Sequence, residues 1–151
     1  MKYYLAYGSN LNKSQMRRRC PDAYSVGKTV LPNYQLVFRR GVLTIEPEQG
    51  SFVPVAVWAI SRDDEKSLDR YEGFPHLYYK QEFPIVFSGR SGGKVKEIIT
   101  DAMAYIMTDG HPIQEPSVPY MVTCMKGYDD FGLDMTPLFE AKDRAEKGGV
   151  Q

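Results

Sequence analysis

The chain has 151 residues, of which 42% are hydrophobic and 13% aromatic, so it can bury one substantial core. Its 19 basic and 19 acidic side chains cancel to a formal net charge of +0. This balance excludes the broad electrostatic attraction by which a protein binds nucleic acid or an anionic membrane. We therefore expect a single domain that recognises a small ligand through local contacts.

Cysteine usage and hydropathy indicate a cellular compartment. Cys20 and Cys124 are the only cysteines, and neither belongs to a CxxC pair. Nothing at the N-terminus resembles a secretory signal, and Pro, Gly or charge interrupts every apolar run before the roughly 18 residues that a membrane span needs. These features predict a reduced, cytoplasmic protein without a membrane-spanning segment.

The first predicted element is an aromatic-rich strand over residues 2–7, which leaves Tyr7 at its end. A turn at residues 8–10 then leads into a short helix that Asn12 or Ser14 can cap. Backbone N–H groups in such a strand, turn and helix can cradle an anion such as a carboxylate. Because Gly-Ser-Asn also forms ordinary turns, both interpretations remain open at this point.

The middle of the chain is predicted to be mostly sheet. Runs rich in aromatic and β-branched residues, separated by Gly, Pro and Ser, occur at 34–39, 53–60, 78–87 and 101–107. Between the second and third runs, Ser61 can cap a helix that extends to Tyr71, with Asp64 as its capping-box partner. The acidic residues 63–65 suit the positive end of the helix dipole, and we expect them to be solvated.

Glu72 follows the end of this predicted helix, within the segment Asp-Arg-Tyr-Glu-Gly-Phe-Pro. The negative end of the helix dipole and the surrounding aromatic residues favour a protonated carboxyl, which raises its pKa and suits a general base. The alternative is an exposed Glu72 paired with Arg70 or Lys80. Asp69 is the rival carboxylate in the same segment.

Towards the C-terminus, apolar residues recur at helical spacing after Pro116-Ser117 and before Gly132. The predicted buried face of this helix consists of Val118, Met121, Val122, Met125 and Tyr128. Residues 143–151 are charged, contain two glycines and have little to bury, so we expect them to fray. The domain is accordingly placed at residues 1–142.

Other chemistries have weaker support. Ser9 lacks the GxSxG motif of many serine hydrolases, and His76 and His111 are the only histidines that could act as its base. Two histidines and two isolated cysteines do not form a recognised ligand set, so we predict no metal and no cofactor. The basic run at residues 17–19 is interpreted as a solvated helix face.

Three ordered motifs together resemble the γ-glutamylcyclotransferase family, also described as the γ-glutamylcyclotransferase-like or AIG2-like fold. They are Tyr7-Gly8-Ser9-Asn10-Leu11, Tyr71-Glu72-Gly73, and Pro116-Ser117-x-x-Tyr120 followed by Gly127 and Gly132-Leu133. They span most of the chain, and their joint occurrence is far more specific than any one of them.

This resemblance implies an α+β fold, with a small mixed sheet curled into a barrel and helices packed around it. It implies cyclisation of the γ-glutamyl group of a small amide or peptide to 5-oxoproline, with Glu72 as the acid/base. The implied substrate-binding residues are Tyr7, Gly8, Ser9, Asn10, Leu11, Tyr79, Tyr105 and Tyr120. The alternative is a non-catalytic binding or regulatory protein on the same fold.

Two departures from the family pattern leave the leaving group open. Tyr71 precedes Glu72 where some relatives carry Gln, and Phe74-Pro75 follow Gly73 where other side chains are common.

Overall fold

The computed structural model describes residues 1–148, apart from the side chain of Ser91. The described residues form five strands, one short 3₁₀ helix and four α-helices. In chain order these are β1 (Lys2–Ala6), the 3₁₀ helix (Ser9–Leu11), α1 (Lys13–Arg19), β2 (Tyr24–Arg39), β3 (Val42–Ile60), α2 (Arg62–Tyr71), β4 (Tyr78–Ser91), β5 (Lys94–Met107), α3 (Val118–Asp130) and α4 (Thr136–Gly148). The predicted α+β class is confirmed.

The five strands form one mixed sheet in the order β2-β3-β1-β5-β4. The short strand β1 lies at its centre, antiparallel to β3 and parallel to β5. The outer strands belong to two long antiparallel hairpins, β2-β3 and β4-β5. This arrangement brings the C-terminal end of β1 into the middle of the molecule, where it delivers the loop that begins at Tyr7.

The predicted barrel is wrong, because no ladder of backbone hydrogen bonds joins the edge strands β2 and β4 within the described residues. The two edges do approach each other through side chains. Thr29 Oγ1 donates to the Val86 carbonyl oxygen at 2.9 Å, and the Tyr34 and Phe83 rings pack edge to face. Prolines in both edge strands remove N–H groups that a closing ladder would need.

The strands are longer than the sequence predicts, because residues that resemble breaks are absorbed as irregularities. In β2 the register with β3 shifts between Ser25 and Gly27 and again between Pro32 and Tyr34. Asn33, at the second shift, has a positive φ of 63°, and its side chain accepts a hydrogen bond from the Gly50 N–H. Bulges of this kind bend a strand without ending it.

The capping box of α2 is confirmed, since the Ser61 and Asp64 side chains each accept a hydrogen bond from the other's backbone N–H. The expectation that residues 63–65 are all solvated is wrong. Asp64 is only 1% exposed, and Glu65 is partly buried between Lys2 and Lys80. Asp64 and Glu65 therefore pack against neighbouring residues, and of the three acidic residues only Asp63 is exposed.

The helix predicted near the C-terminus is present as α3, capped by Ser117, but its buried face is rotated. Met121 and Tyr128 are buried as expected, whereas Val118 and Val122 are exposed. The buried face is completed by Cys124 and Gly127, which the apolar pattern did not include.

The segment expected to fray, residues 143–151, is helical in α4 as far as Gly148. Small residues allow this helix to lie close to the sheet, and Ala145 is only 2% exposed. Arg144 anchors the helix by donating to the Leu36 carbonyl oxygen at 2.9 Å. Residues 149–151 lie outside the described part of the chain. No helix within residues 1–148 is long and apolar enough to cross a bilayer.

Candidate active site

A cleft of about 180 Å³ opens where the end of β1, the end of α2 and the starts of β3, β4 and α3 converge. Its walls are Tyr4, Tyr7, Gly8, Ser9, Asn10, Val42, Leu43, Tyr71, Glu72, Leu77, Tyr78, Tyr105 and Tyr120. The structure thus brings together seven predicted site residues that are dispersed in the sequence: Tyr7, Gly8, Ser9, Asn10, Glu72, Tyr105 and Tyr120. A cleft of this size suits a group about as large as one amino acid.

Two predicted site residues lie elsewhere. Leu11 is fully buried behind the loop, where α3 approaches so closely that a Cβ on Gly127 would lie 2.6 Å from Leu11 Cβ. Tyr79 points away from the cleft, is 41% exposed and borders a separate surface depression. Its neighbour Tyr78 lines the cleft instead, because successive side chains on a strand point to opposite faces.

The loop after β1 forms one wall of the cleft. Ser9 and Asn10 open the 3₁₀ helix, so their N–H groups have no acceptor within it. A Cβ on Gly8 would lie 3.3 Å from Leu43 Cδ1 and 3.4 Å from Tyr120 Oη. Glycine therefore keeps this part of the wall open, and a side chain here would crowd the groups across the cleft.

Glu72 is the C-cap residue of α2, and its carboxyl group borders the cleft. It receives one long hydrogen bond, 3.4 Å from Asn10 Nδ2 to Glu72 Oε1. Desolvation raises the pKa of Glu72 to about 7, against the opposing effect of the Arg19 charge. A carboxyl group with such a pKa exchanges protons readily near neutral pH.

Three tyrosine hydroxyls of the cleft donate hydrogen bonds to acceptors within the protein. Tyr7 donates to the Tyr105 carbonyl oxygen at 2.6 Å, Tyr78 to the Leu43 carbonyl oxygen at 2.8 Å, and Tyr105 to the Asp69 carboxylate at 2.6 Å. Burial raises the pKa of all three phenols, which keeps them protonated. These three hydrogen bonds therefore fix the positions of the tyrosine side chains in the cleft wall.

Two further tyrosine hydroxyls of the cleft, those of Tyr4 and Tyr120, act as acceptors. Tyr4 Oη accepts from Asn10 Nδ2 at 2.9 Å, and Tyr120 Oη accepts from the Leu43 N–H at 3.1 Å. No acceptor for either hydroxyl proton is found among residues 1–148. Each of these two hydroxyls thus has a proton available for a ligand, and Tyr4 is not among the site residues that the sequence predicts.

Asp69, the rival carboxylate, lies outside the cleft. Its two oxygens accept hydrogen bonds from Tyr105 Oη at 2.6 Å and Lys80 Nζ at 3.1 Å. These two hydrogen bonds hold Asp69 in a fixed position, where it supports the Tyr105 side chain. The geometry therefore favours Glu72 as the residue that exchanges protons with a ligand.

Groups for alternative chemistries are not assembled at the cleft. His76 and His111 do not line it, so neither is placed to activate Ser9. Burial raises the pKa of both Cys20 and Cys124 to about 12, which keeps these thiols protonated and unreactive at neutral pH. Within residues 1–148, no group of three or more His, Cys, Asp or Glu side chains is placed to hold a metal ion.

A family model supplies the decisive comparison. The family described as gamma-glutamyl cyclotransferase, AIG2-like, matches residues 4–122, which include every residue that lines the cleft. The chain belongs to this family. The match confirms the resemblance seen in the three sequence motifs. No match is found among curated proteins.

Solved structures agree with this family assignment. One, named gamma-glutamyl cyclotransferase, is 25% identical over 96% of this chain and 86% of its own, with a TM-score of 0.67. An uncharacterized protein from Homo sapiens, loc79017, has the same identity and coverage and a TM-score of 0.68. YkqA from Bacillus subtilis shares the fold, with 20% identity, 96% and 54% coverage, and a TM-score of 0.62.

The structure also changes the interpretation of the basic run at residues 17–19. Arg17 and Arg18 are exposed as expected, but Arg19 is partly buried and turned towards the site. Its guanidinium group donates to Asn10 Oδ1 at 2.6 Å and lies 3.1 Å from the centroid of the Tyr71 ring. Helical position alone gave no signal for this contact.

Proposed function

We propose that this family member is an enzyme that cyclises the γ-glutamyl group of a small amide or peptide to 5-oxoproline and releases the amine. The observation that carries this proposal is the position of Glu72, a desolvated and weakly hydrogen-bonded carboxyl group at a cleft whose wall also contains Gly8, Ser9 and Asn10 of the loop after β1. A purely structural cleft has no use for such a group.

We assign the glutamyl α-carboxylate to the loop after β1. The N–H groups of Ser9 and Asn10 form the positive end of the short 3₁₀ helix, and the bare Cα of Gly8 lets the ligand approach the backbone. The tyrosine rings around the cleft would pack against the aliphatic part of the glutamyl group and exclude water. The α-carboxylate and the aliphatic chain of the glutamyl group would thereby be held.

The reaction needs no protein nucleophile. The substrate's α-amine attacks its own γ-carbonyl carbon, a C–N bond forms to close the five-membered ring, and the C–N bond to the leaving amine breaks. Holding the glutamyl chain in this bent conformation supplies several kcal/mol, within the roughly 7–11 kcal/mol that proximity can provide.

The reaction requires proton transfers, and these define the proposed role of Glu72. An ammonium group enters the reaction and becomes a lactam N–H, so two protons leave the attacking nitrogen, and the leaving nitrogen takes up two. We assign these transfers to Glu72, which as a carboxylate accepts a proton and as a carboxylic acid returns it. With a pKa of about 7, Glu72 is suited to both steps at neutral pH.

Negative charge develops on the γ-carbonyl oxygen when the amine attacks. A stabilising donor must be preorganised, and it must not already be bonded to the protein. Apart from the exposed Tyr71, the tyrosine hydroxyls of the cleft that meet this requirement within residues 1–148 are those of Tyr4 and Tyr120. The Tyr4 hydroxyl shares the Asn10 amide nitrogen with Glu72, so it lies next to the group that transfers the protons. We assign the oxyanion contact to Tyr4.

A panel of γ-glutamyl amides, peptides and amines with different leaving groups tests this function. The proposal predicts 5-oxoproline in equal amount to the released amine for at least one member of the panel. If the protein binds 5-oxoproline or glutamate but releases no 5-oxoproline from any member, it is a binding protein on the same fold and the enzymatic proposal is wrong.

A further inference from the structure

We propose that Arg19 is a positioning residue of this site: it fixes the side-chain amide of Asn10 so that the amide nitrogen faces Glu72, and it supplies the positive charge that keeps Glu72 available as a base. This inference rests on the proposed function of Glu72. It assigns a role to a residue of α1 that does not line the cleft itself.

Arg19 is held in place from two sides. Its guanidinium group stacks on the Tyr71 ring, with its central carbon 3.1 Å from the ring centroid. The same group donates to Asn10 Oδ1 at 2.6 Å. A planar guanidinium can satisfy both contacts at once, because its face meets the ring while its edge carries the N–H groups.

This contact determines which way the Asn10 amide points. Asn10 Oδ1 accepts from Arg19 and, at 3.3 Å, from Gln15 Nε2, and these two partners can only donate in this arrangement. The amide nitrogen must then point the other way, where it donates to Tyr4 Oη at 2.9 Å and towards Glu72 Oε1 at 3.4 Å. Arg19 thus controls the hydrogen bond that Glu72 receives and the one that keeps the Tyr4 proton free.

The electrostatic surroundings of Glu72 give a second reason to assign this role to Arg19. The ionisable groups that bear on it come from every neighbouring element: Tyr4 and Tyr7 at the end of β1, Arg19 of α1, Tyr71 of α2, Tyr78 of β4, Tyr105 of β5 and Tyr120 of α3. Six of these seven are tyrosines, and Arg19 is the only cation among the seven. The positive charge of Arg19 therefore opposes the effect of desolvation on the pKa of Glu72.

Neighbouring arginines provide a matched control. Arg17 and Arg18 lie on the same turn of α1, and both are exposed. No side-chain hydrogen bond or ion pair within residues 1–148 involves either of them. Arg18→Met therefore removes the same charge and the same donors as Arg19→Met, one residue away and without the contact to Asn10.

The experiment compares wild type, Arg19→Met, Arg19→Lys and Arg18→Met in the full chain. The side-chain carboxyl ¹³C signal of Glu72 is titrated by NMR, and kcat/KM is measured against pH with the best substrate of the panel. We expect the Glu72 midpoint near 7 in wild type and Arg18→Met. Loss of the nearby charge in Arg19→Met should raise the midpoint by about 1 pH unit, whereas Arg19→Lys, which keeps a charge and a donor, should stay close to wild type.

The acidic limb of kcat/KM should move with the titration. Arg19→Met should lose about tenfold in kcat/KM below the wild-type midpoint and recover most of that loss at pH 9, where Glu72 is deprotonated again. A structural role alone would lower activity equally at every pH. An unshifted Glu72 midpoint in Arg19→Met, an equal shift in Arg18→Met, or a loss that is independent of pH would each overturn the inference.

The two proposals fail in different ways. If wild type turns over no panel substrate, the proposed function fails, while the NMR titration still decides whether Arg19 controls Glu72. If wild type is active and Arg19→Met shifts neither the midpoint nor the acidic limb, only the inference about Arg19 fails. Should Arg19→Met not fold, Arg19→Gln replaces it as the neutral variant under the same expectations.

Discussion

Two acidic residues at opposite ends of α2, Asp64 and Glu72, differ in how many hydrogen bonds their carboxylate oxygens accept. Asp64, at the start of the helix, is only 1% exposed, and its oxygens accept from the backbone N–H groups of Ser61 at 3.0 Å and Asp22 at 3.3 Å. Glu72, at the end of the helix, borders the cleft with a single hydrogen bond of 3.4 Å.

The difference teaches that burial alone does not mark a reactive acid. A buried carboxylate whose oxygens are fully hydrogen-bonded is a structural support, since the bonds stabilise its charged form. One that is desolvated and left with unused hydrogen-bonding capacity keeps a raised pKa and can bond to a substrate. The same distinction separates Tyr4, whose proton is free, from Tyr7, whose proton is bonded to a carbonyl oxygen.

The largest effect is expected from Glu72→Gln. Because an amide cannot accept the amine proton, kcat should fall about a thousandfold, while KM changes little. Steady-state kinetics of 5-oxoproline formation measures both values. Glu82→Gln, an identical change at an exposed position of β4, serves as the control and should be as active as wild type. Near-wild-type turnover of Glu72→Gln would remove Glu72 from the mechanism.

Tyr4→Phe should have the next largest effect. Loss of the proposed oxyanion donor lowers kcat by about a hundredfold. Tyr7→Phe, which instead breaks the hydrogen bond to the Tyr105 carbonyl oxygen, should cost about 1 kcal/mol of unfolding free energy and reduce kcat far less. Kinetics and urea unfolding of both variants distinguish the two roles, and a reversed ranking would assign the oxyanion contact to the wrong tyrosine.

Asp64→Ala tests the other side of the comparison. It leaves the backbone N–H groups of Ser61 and Asp22 without their acceptor, which should cost about 2 kcal/mol of unfolding free energy. For a chain of this size, the melting temperature should fall by roughly 4–8 °C. At temperatures where the variant stays folded, kcat should equal that of wild type. A large loss of kcat in the folded variant would contradict the structural role of Asp64.

The smallest effect concerns the pH dependence of stability. The pKa of Glu72 rises from an ordinary value of 4.5 to about 7 on folding. Between these pH values the folded chain binds more protons than the unfolded chain, so wild type loses stability as pH rises and loses no more above about 7. Relative to Glu72→Gln, we expect a loss on the order of 1–2 kcal/mol after discounting for solvent screening, measured by urea unfolding at pH 4.5, 6 and 8. A stability difference that stays constant over this range would show that the Glu72 pKa is not raised.

Local signals in the sequence identify the parts of the site that lie within one element. The Ser61 and Asp64 capping box and the position of Glu72 after a helix can both be predicted, because each depends on neighbouring residues. Two adjacent tyrosines at 78 and 79 cannot be separated in this way. A one-residue change of register exchanges the two faces of a strand, and only the pairing of β4 with β5 decides which tyrosine enters the cleft.

Features that depend on contacts between distant segments could not be predicted from the sequence. The residues that Arg19 contacts belong to the loop after β1 and to the end of α2. A basic run on a short helix therefore does not indicate these contacts. The C-terminal helix is stabilised by packing of Ala145 against the sheet. The sequence of this segment, which is charged and contains glycine, does not indicate that packing. Sheet closure likewise depends on whether two edge strands that are distant in the sequence can pair.

The central claim is that the substrate supplies the nucleophile and that Glu72 moves its protons. The most direct test compares a γ-glutamyl amide with its N-acetylated form in ¹⁸O-labelled water and follows the products by mass spectrometry. Acetylation removes the nucleophilicity of the α-amine and leaves the γ-carbonyl unchanged, so a hydrolase using Ser9, Cys20, Cys124 or water could still cleave the blocked compound. The account predicts unlabelled 5-oxoproline in equal amount to the released amine from the free substrate, and no cleavage of the acetylated one. Glutamate carrying solvent oxygen, or steady cleavage of the acetylated compound, would contradict it.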